Sequence, residues 1–304
     1  MPSAEVITSL RAELFADDID IPEAAVRWTA DELRAYFESG GLELPISSQP
    51  SPILPPPPLP PRRAPSQPAR FLCLHGGGGN KMINALQTAR LKKALGLERV
   101  RFDYIEGTRV WSSEEVDPQL VKAFGAGPYY GWYGVENDVM TRVTHSGTSD
   151  YQQALFDPSV MFQYIDSEAA LDRVEEHIEA HGPYDALLGF SQGAIIVTML
   201  TARRLERAAR GEATPPSWLC NVLLSGMAPR AGKYRPIPKP PVPYLAGFPV
   251  VSVIGRKDPF YDYSWLLFDI HDRLVWLEHE GGHEAPADPK VNAEVAAAVW
   301  RAMS

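Results

Sequence analysis

Cysteine is nearly missing from this chain: Cys73 and Cys220 are the only two in 304 residues. Both sit in apolar, strand-like runs, so the pair reads as buried thiols of a reducing compartment, with a single disulfide as the alternative. Long hydrophobic runs are missing as well; none approaches the roughly 20 residues that span a bilayer. Basic charge is in deficit, with 29 Lys and Arg against 38 Asp and Glu and a formal net charge of −9. That balance argues against nucleic acid or an anionic membrane as partner. Glu5, Arg11 and Glu13 interrupt the first apolar positions, which is unlike a secretory leader. A cytoplasmic protein is expected. What is present is ordinary for a folded protein: 45% hydrophobic and 22% charged residues, in a length that buries a sizeable core.

The acidity is unevenly spread. Residues 1–44 hold ten acidic and three basic residues, whereas 45–68 hold no acid and two arginines, Arg62 and Arg63. Ten of the 29 prolines fall between Pro50 and Pro68, a stretch short of amide donors that favours extended polyproline II. The organisation expected is an acidic helical extension over 1–44, a proline-rich linker over 45–68 and a body over 69–304. In the extension, Ser3 is placed to cap a helix running to about Phe15. Thr29-Ala30-Asp31-Glu32 has the capping-box pattern for a second helix, with Gly40-Gly41 as its stop. Two short helices cannot build their own core, so they are expected to dock on the body or wait for a partner.

From residue 69 near-continuous apolar runs alternate with helical periodicity. Strands are predicted at Arg70–His75, Val100–Tyr104, Asp185–Phe190, Asn221–Leu224, Val250–Ile254 and Leu274–Glu278. Helices are predicted over about Met82–Leu95, Ser167–His181, Gln192 to before Gly211, Tyr263–Ile270 and Val291–Met303. This is the α/β pattern of a mostly parallel sheet covered on both faces. Ligand sites in such sheets lie beyond the carboxyl ends of the strands.

Four strand ends carry chemistry. Gly189-Phe190-Ser191-Gln192-Gly193 follows one strand and precedes the apolar helix Ala194-Ile195-Ile196-Val197. A strand that turns sharply into a helix brings backbone within clash distance of any larger side chain, hence the glycines. The turn thrusts the serine hydroxyl out at a helix N-terminus. The bland reading is a capping serine after a glycine turn. A serine nucleophile needs a base held by an acid. Of seven histidines, His283 lies in the loop Gly281-Gly282-His283-Glu284 after the last strand, and it is the favoured base. His177 and His181 stand four apart near a helix end, where solvated histidines are expected and no third ligand makes them a metal pair. Asp258 follows the Val250–Ile254 strand through Gly255-Arg256-Lys257 and is the favoured acid; a plain helix cap is the alternative. His75-Gly76-Gly77-Gly78-Gly79-Asn80 lets backbone amides approach a substrate oxygen, so the amides of Gln192 and Gly77 are the expected oxyanion donors. The run lacks the ending of a phosphate loop, and neither metal nor cofactor is expected.

Together Phe71-Leu72-Cys73-Leu74-His75-Gly76, Gly182-Pro183-Tyr184-Asp185 leading into Gly189 to Ala194, Gly255-Arg256-Lys257-Asp258 and Gly281-Gly282-His283-Glu284-Ala285-Pro286 resemble the FSH-type serine hydrolases. That family includes the ovarian-cancer-associated homologues. The resemblance covers about residues 69 to 303. It implies an α/β-hydrolase fold and a Ser-Asp-His esterase or thioesterase, for which the matching positions are Ser191, Asp258 and His283. Similar fungal members often serve polyketide pathways, releasing an acyl chain from a carrier protein. The four-glycine run departs from the bulkier residues usual after the His-Gly pair, and the first 68 residues match nothing in the family core.

Between Gly107 and Asp166 a long insert carries clustered aromatics, among them Trp111, Tyr129, Tyr130, Trp132, Tyr151 and Phe156. They read either as an apolar acyl site, with Trp111, Tyr129, Tyr130 and Trp132 as contacts, or as a satellite core. The loop Pro229 to Pro249 bears Arg230, Lys233, Arg235 and Lys239 and no acid. It is either solvated or a seat for an acidic carrier protein or a phosphopantetheine phosphate. The acidic extension is expected beside this loop or over the insert. The substrate expected is a small or carrier-bound acyl compound. Interception of the acyl-enzyme by another nucleophile, as in a transferase or cyclase, remains open, as does a non-enzymatic scaffold acting through the extension.

Overall fold

A computed structural model describes residues 34, 64–112, 114, 116, 118–136, 162–230, 234 and 245–304. The chain divides into two compact units between Leu54 and Pro55, and every element below belongs to the second. Of the expected N-terminal helices, Arg34 alone is described, in helical conformation; the rest of that expectation lies outside the described residues.

The period-two alternation of a doubly covered strand is visible in β1 (Ala69–Leu74). Ala69, Phe71 and Cys73 point into one core, Leu72 and Leu74 into the other. The strands β2 (Val100–Ile105), β7 (Ala186–Phe190), β8 (Cys220–Leu224), β9 (Val250–Gly255) and β10 (Leu274–His279) join β1 in a six-stranded sheet of order β10-β9-β8-β7-β1-β2. Every neighbouring pair in it is parallel. Parallel pairing needs crossovers, and helices supply them on both faces. Here α1 is Lys81–Leu95, α2 Pro118–Phe124, α3 Ser167–His181, α4 Gln192–Ala209, α5 Tyr261–Ser264, α6 Leu267–Ile270 and α7 Pro289–Met303. On one face α3 buries Ala170, Leu171, Val174 and Ile178, a stripe at helical spacing, and α4 packs beside it. On the other face Leu91 and Leu95 of α1 and Val295, Val299 and Met303 of α7 form the second core with Cys73 and Cys220. Both thiols are fully buried and form no disulfide. The helix starts are chemically marked: Asn80 accepts from the amide of Ile83 at 2.9 Å, and Asp288 from that of Lys290 at 2.8 Å.

The sequence and the structure differ in two places. The helix expected over Tyr263–Ile270 is two short helices, α5 and α6, separated at Trp265-Leu266. The insert is less irregular than its weak periodicity suggests. Within it β3 (Arg109–Trp111) pairs antiparallel with β4 (Tyr129–Gly131), and β5 (Gly134–Glu136) with β6 (Gln163–Ile165). Three-residue strands are too short to show a period. Upstream of β1, Ser66 donates its amide (2.9 Å) and its hydroxyl to the buried Asp185 carboxylate, so the chain is fastened to the body before the sheet begins. Tyr151, Phe156, Lys233, Arg235 and Lys239 lie outside the described residues.

Candidate active site

The chain reverses from β7 into α4 within one residue, Ser191, whose φ is 51°. A side-chain-bearing residue in that region is strained, and such strain persists only where packing overdetermines it. The packing is explicit at both flanking glycines. A Cβ on Gly193 would lie 2.5 Å from the Leu74 carbonyl oxygen and 2.6 Å from that of His75; one on Gly189 would lie 2.5 Å from the backbone of Ala194. Ser191 is therefore pressed outward at the carboxyl end of the central strand.

The loops after β9 and β10 meet it there. Gly255 abuts the second loop so closely that a Cβ would sit 2.2 Å from the carbonyl oxygen of Gly282. This contact brings Asp258 to His283. The Asp258 carboxylate, its side chain fully enclosed, accepts from the Phe260 amide at 2.9 Å and from His283 Nδ1 at 2.8 Å. His283 Nε2 lies 2.8 Å from Ser191 Oγ. A carboxylate accepts only, so Nδ1 carries the proton and the lone pair of Nε2 faces the hydroxyl. The imidazole stands between Phe190 and Phe260, each ring centroid 5.4 Å away, with 27% of its side chain exposed. An arrangement of this kind can take a proton from the serine as it attacks an electrophilic carbon.

The glycine loop completes the rim. A Cβ on Gly76 would stand 3.3 Å from that of Ser191, and one on Gly77 3.5 Å from Gln192 Oε1. Among the described residues, neither the Gln192 amide nor the Gly77 amide has an acceptor. The Gln192 side chain does something its motif gave no sign of. Its Oε1 accepts from the Trp132 amide at 2.7 Å and its Nε2 donates to the Tyr133 carbonyl at 3.0 Å, tying the insert to the serine turn.

The four aromatic residues singled out in the insert divide. Tyr129 is fully buried in a satellite core with Ile83 and Val116, and Trp132 is fully buried beneath the rim. Trp111 and Tyr130 keep partial exposure beside the glycines. A Cβ on Gly77 would lie 3.2 Å from the Trp111 ring, and the Tyr130 amide donates to the Gly79 carbonyl at 2.8 Å. Sequence reasoning missed Phe190 and Phe260 as the walls of the imidazole; neither has a periodicity that marks it. Of the basic loop, Arg230 is described, with its guanidinium over the Phe162 ring at 5.8 Å.

Elsewhere, two open clefts of about 230 and 310 Å³ share His177 and His181, and neither is bordered by Ser191, Asp258 or His283. The two rings lie 4.4 Å apart, and burial, followed by the neighbouring His181, lowers the His177 pKa. Among the described residues no three His, Cys, Asp or Glu side chains are grouped to hold a metal ion, and no helix is long and apolar enough to cross a membrane.

Against known proteins, the model of the family described as "Serine hydrolase (FSH1)" matches residues 65–295. The chain is 29% identical over 232 residues to the hydrolase phiM of a fungal species (strain ATCC 74256), covering 73% of this chain and 89% of that one. It is 27% identical over 232 residues to the esterase FPY3 of Fusarium mangiferae, covering 72% and 89%. It is 29% identical over 136 residues to the dihydromonacolin L-(lovastatin nonaketide synthase) thioesterase of Aspergillus terreus, covering 44% and 46%.

Proposed function

Because the chain belongs to the FSH1 serine hydrolase family, we propose that it cleaves an acyl thioester or carboxylic ester through Ser191, His283 and Asp258. The observation that carries this reading is the unbroken hydrogen-bonded line from Asp258 through His283 to Ser191, 2.8 Å at each step, ending on a strained serine. As Ser191 Oγ bonds to the acyl carbon, His283 Nε2 takes the hydroxyl proton and Asp258 steadies the imidazolium. The carbonyl electrons move onto oxygen, which the amides of Gln192 and Gly77 receive. Collapse breaks the bond to the thiolate or alkoxide, which leaves with the proton from Nε2. Water then attacks the acyl-serine with His283 again as base, and the carboxylic acid departs. Each oxyanion donor typically contributes about 3 kcal/mol to the transition state.

Trp111 and Tyr130 are the acyl contacts in this reading, with Tyr129 and Trp132 supporting them from below. The Aspergillus terreus relative, named as a thioesterase of a nonaketide synthase, supports an acyl chain carried by a polyketide synthase or its carrier protein. Two buried, unlinked thiols suit a cytoplasmic setting.

A fluorophosphonate probe tests the nucleophile. Labelling of the native protein at Ser191, absent in Ser191→Ala, is the expected result, and a native protein that does not label overturns the mechanism. Analysis of products from an acyl thioester, with and without an acceptor alcohol, then separates hydrolysis from acyl transfer.

A further inference from the structure

His75 has no part in the steps above, yet its side chain is fully buried and both ring nitrogens are engaged. Nε2 accepts from the Gly107 amide at 2.9 Å, and Nδ1 lies 2.7 Å from the Gly76 carbonyl oxygen. A backbone amide only donates and a carbonyl only accepts. The ring is therefore neutral, with its proton on Nδ1. Burial also pushes its pKa down to about 4, so the ring keeps this form at neutral pH. The His75 carbonyl in turn receives the Trp132 indole N–H at 2.8 Å.

These bonds converge on the glycine loop. The Gly76 oxygen accepts from His75 Nδ1 and also from the Gly79 amide at 3.0 Å, closing a turn that holds Gly77 and Gly78 between its ends. Four successive glycines have no side chains with which to fix their own place, and glycine loses more backbone freedom on ordering than any other residue. Something outside the run has to hold the Gly77 amide still. His75 is the side chain that reaches both the turn and, through Gly107, the first residue of the insert.

We infer that His75 is a positioning residue for the oxyanion site: as a neutral, single-tautomer link between Gly76 and Gly107, it aims the Gly77 amide at the reacting carbonyl. The inference rests on the Ser191 reading given above. It acts only where charge develops on oxygen, so its loss falls on the chemical step rather than on substrate binding.

The test compares an acetyl ester with its thionoester, in which sulfur replaces the carbonyl oxygen. Sulfur is larger and a poorer acceptor, so the preference for the ester reports how well the amides are aimed. His75→Asn retains a donor near Nδ1, and His75→Gln an acceptor near Nε2; each breaks one link. In both, kcat for the ester is expected to fall about 10- to 100-fold, with KM within about threefold. The ester preference should shrink by a similar factor. A residue that merely supports the fold would slow both substrates alike, and an unchanged preference overturns the inference. Should neither histidine variant accumulate as folded protein, Trp132→Phe removes the donor to the His75 carbonyl and is expected to shrink the same preference; no change there overturns the inference too. Wild-type protein that fails to label with fluorophosphonate takes down the Ser191 reading, and this inference with it. Labelled wild type with an unmoved preference sinks the role of His75 alone.

Discussion

An unfolded histidine takes up a proton near pH 6.5, and His271 in the folded protein does not. Its ring is enclosed, neither nitrogen has a hydrogen-bond partner among the described residues, and burial holds its pKa down to about 3. The folded pKa lies below the unfolded one, so the unfolded state gains protons first as pH falls. Stability is intact above about pH 6.5 and declines below it by about 1.4 kcal/mol per pH unit for each such histidine, until the folded pKa is reached. His75 adds a second contribution from about 6.5 down to about 4. His271→Phe keeps the volume and removes both the titration and the unpaired nitrogens. It is expected to raise stability at pH 7 by about 1 kcal/mol and to remove one histidine's share of the acid slope. Urea denaturation at pH 7, 6 and 5 reads both effects; a slope equal to wild type would refute the assignment to His271.

The loops that carry the site depend on elements touching at glycine. Gly255 ends β9 against the carbonyl oxygens of Gly281 and Gly282, with no room for a Cβ, whereas a Cβ on Gly282 would meet nothing nearer among the described residues than the Lys257 oxygen at 3.7 Å. Gly255→Ala is expected to cost about 1–3 kcal/mol by overpacking. It should also cut kcat/KM about 100-fold by shifting Asp258 from His283. Gly282→Ala, though nearer the imidazole in sequence, should leave stability within about 0.5 kcal/mol. Melting curves and initial rates on the two variants decide it, and equal damage from both would be the contrary result. The frame of this architecture was legible because strands buried on both faces are continuous apolar runs and their helices carry stripes at 3.6-residue spacing. The meeting of Ser191, Asp258 and His283 was legible because each follows a strand, and parallel strands deliver their ends to one edge. What the sequence concealed has long-range causes. His75 answers to Gly107, 32 residues on, and Gln192 to Trp132, 60 residues back, and no local pattern encodes a partner at such a distance. The short strands of the insert were hidden for a related reason: three residues pair with a neighbour without repeating.

Across the whole molecule the two cores flanking the sheet are separate bodies of side chains, and the cysteines belong to one of them. Cys73 on β1 and Cys220 on β8 both lie under α1 and α7, fully enclosed, and burial raises the Cys73 pKa well above its ordinary value. Neither sulfur can meet an alkylating reagent while those helices stay seated. The protein therefore contains its own clock. At saturating iodoacetamide the disappearance of thiols should follow the opening of that face, with both cysteines reacting at one shared rate equal to that of global unfolding. A faster reaction at Cys73 than at Cys220 would instead reveal that β1 is released ahead of the rest. Where the two rates agree, the half-life of the native state is read from two sulfur atoms the chain already carries, with no substrate and no engineered reporter.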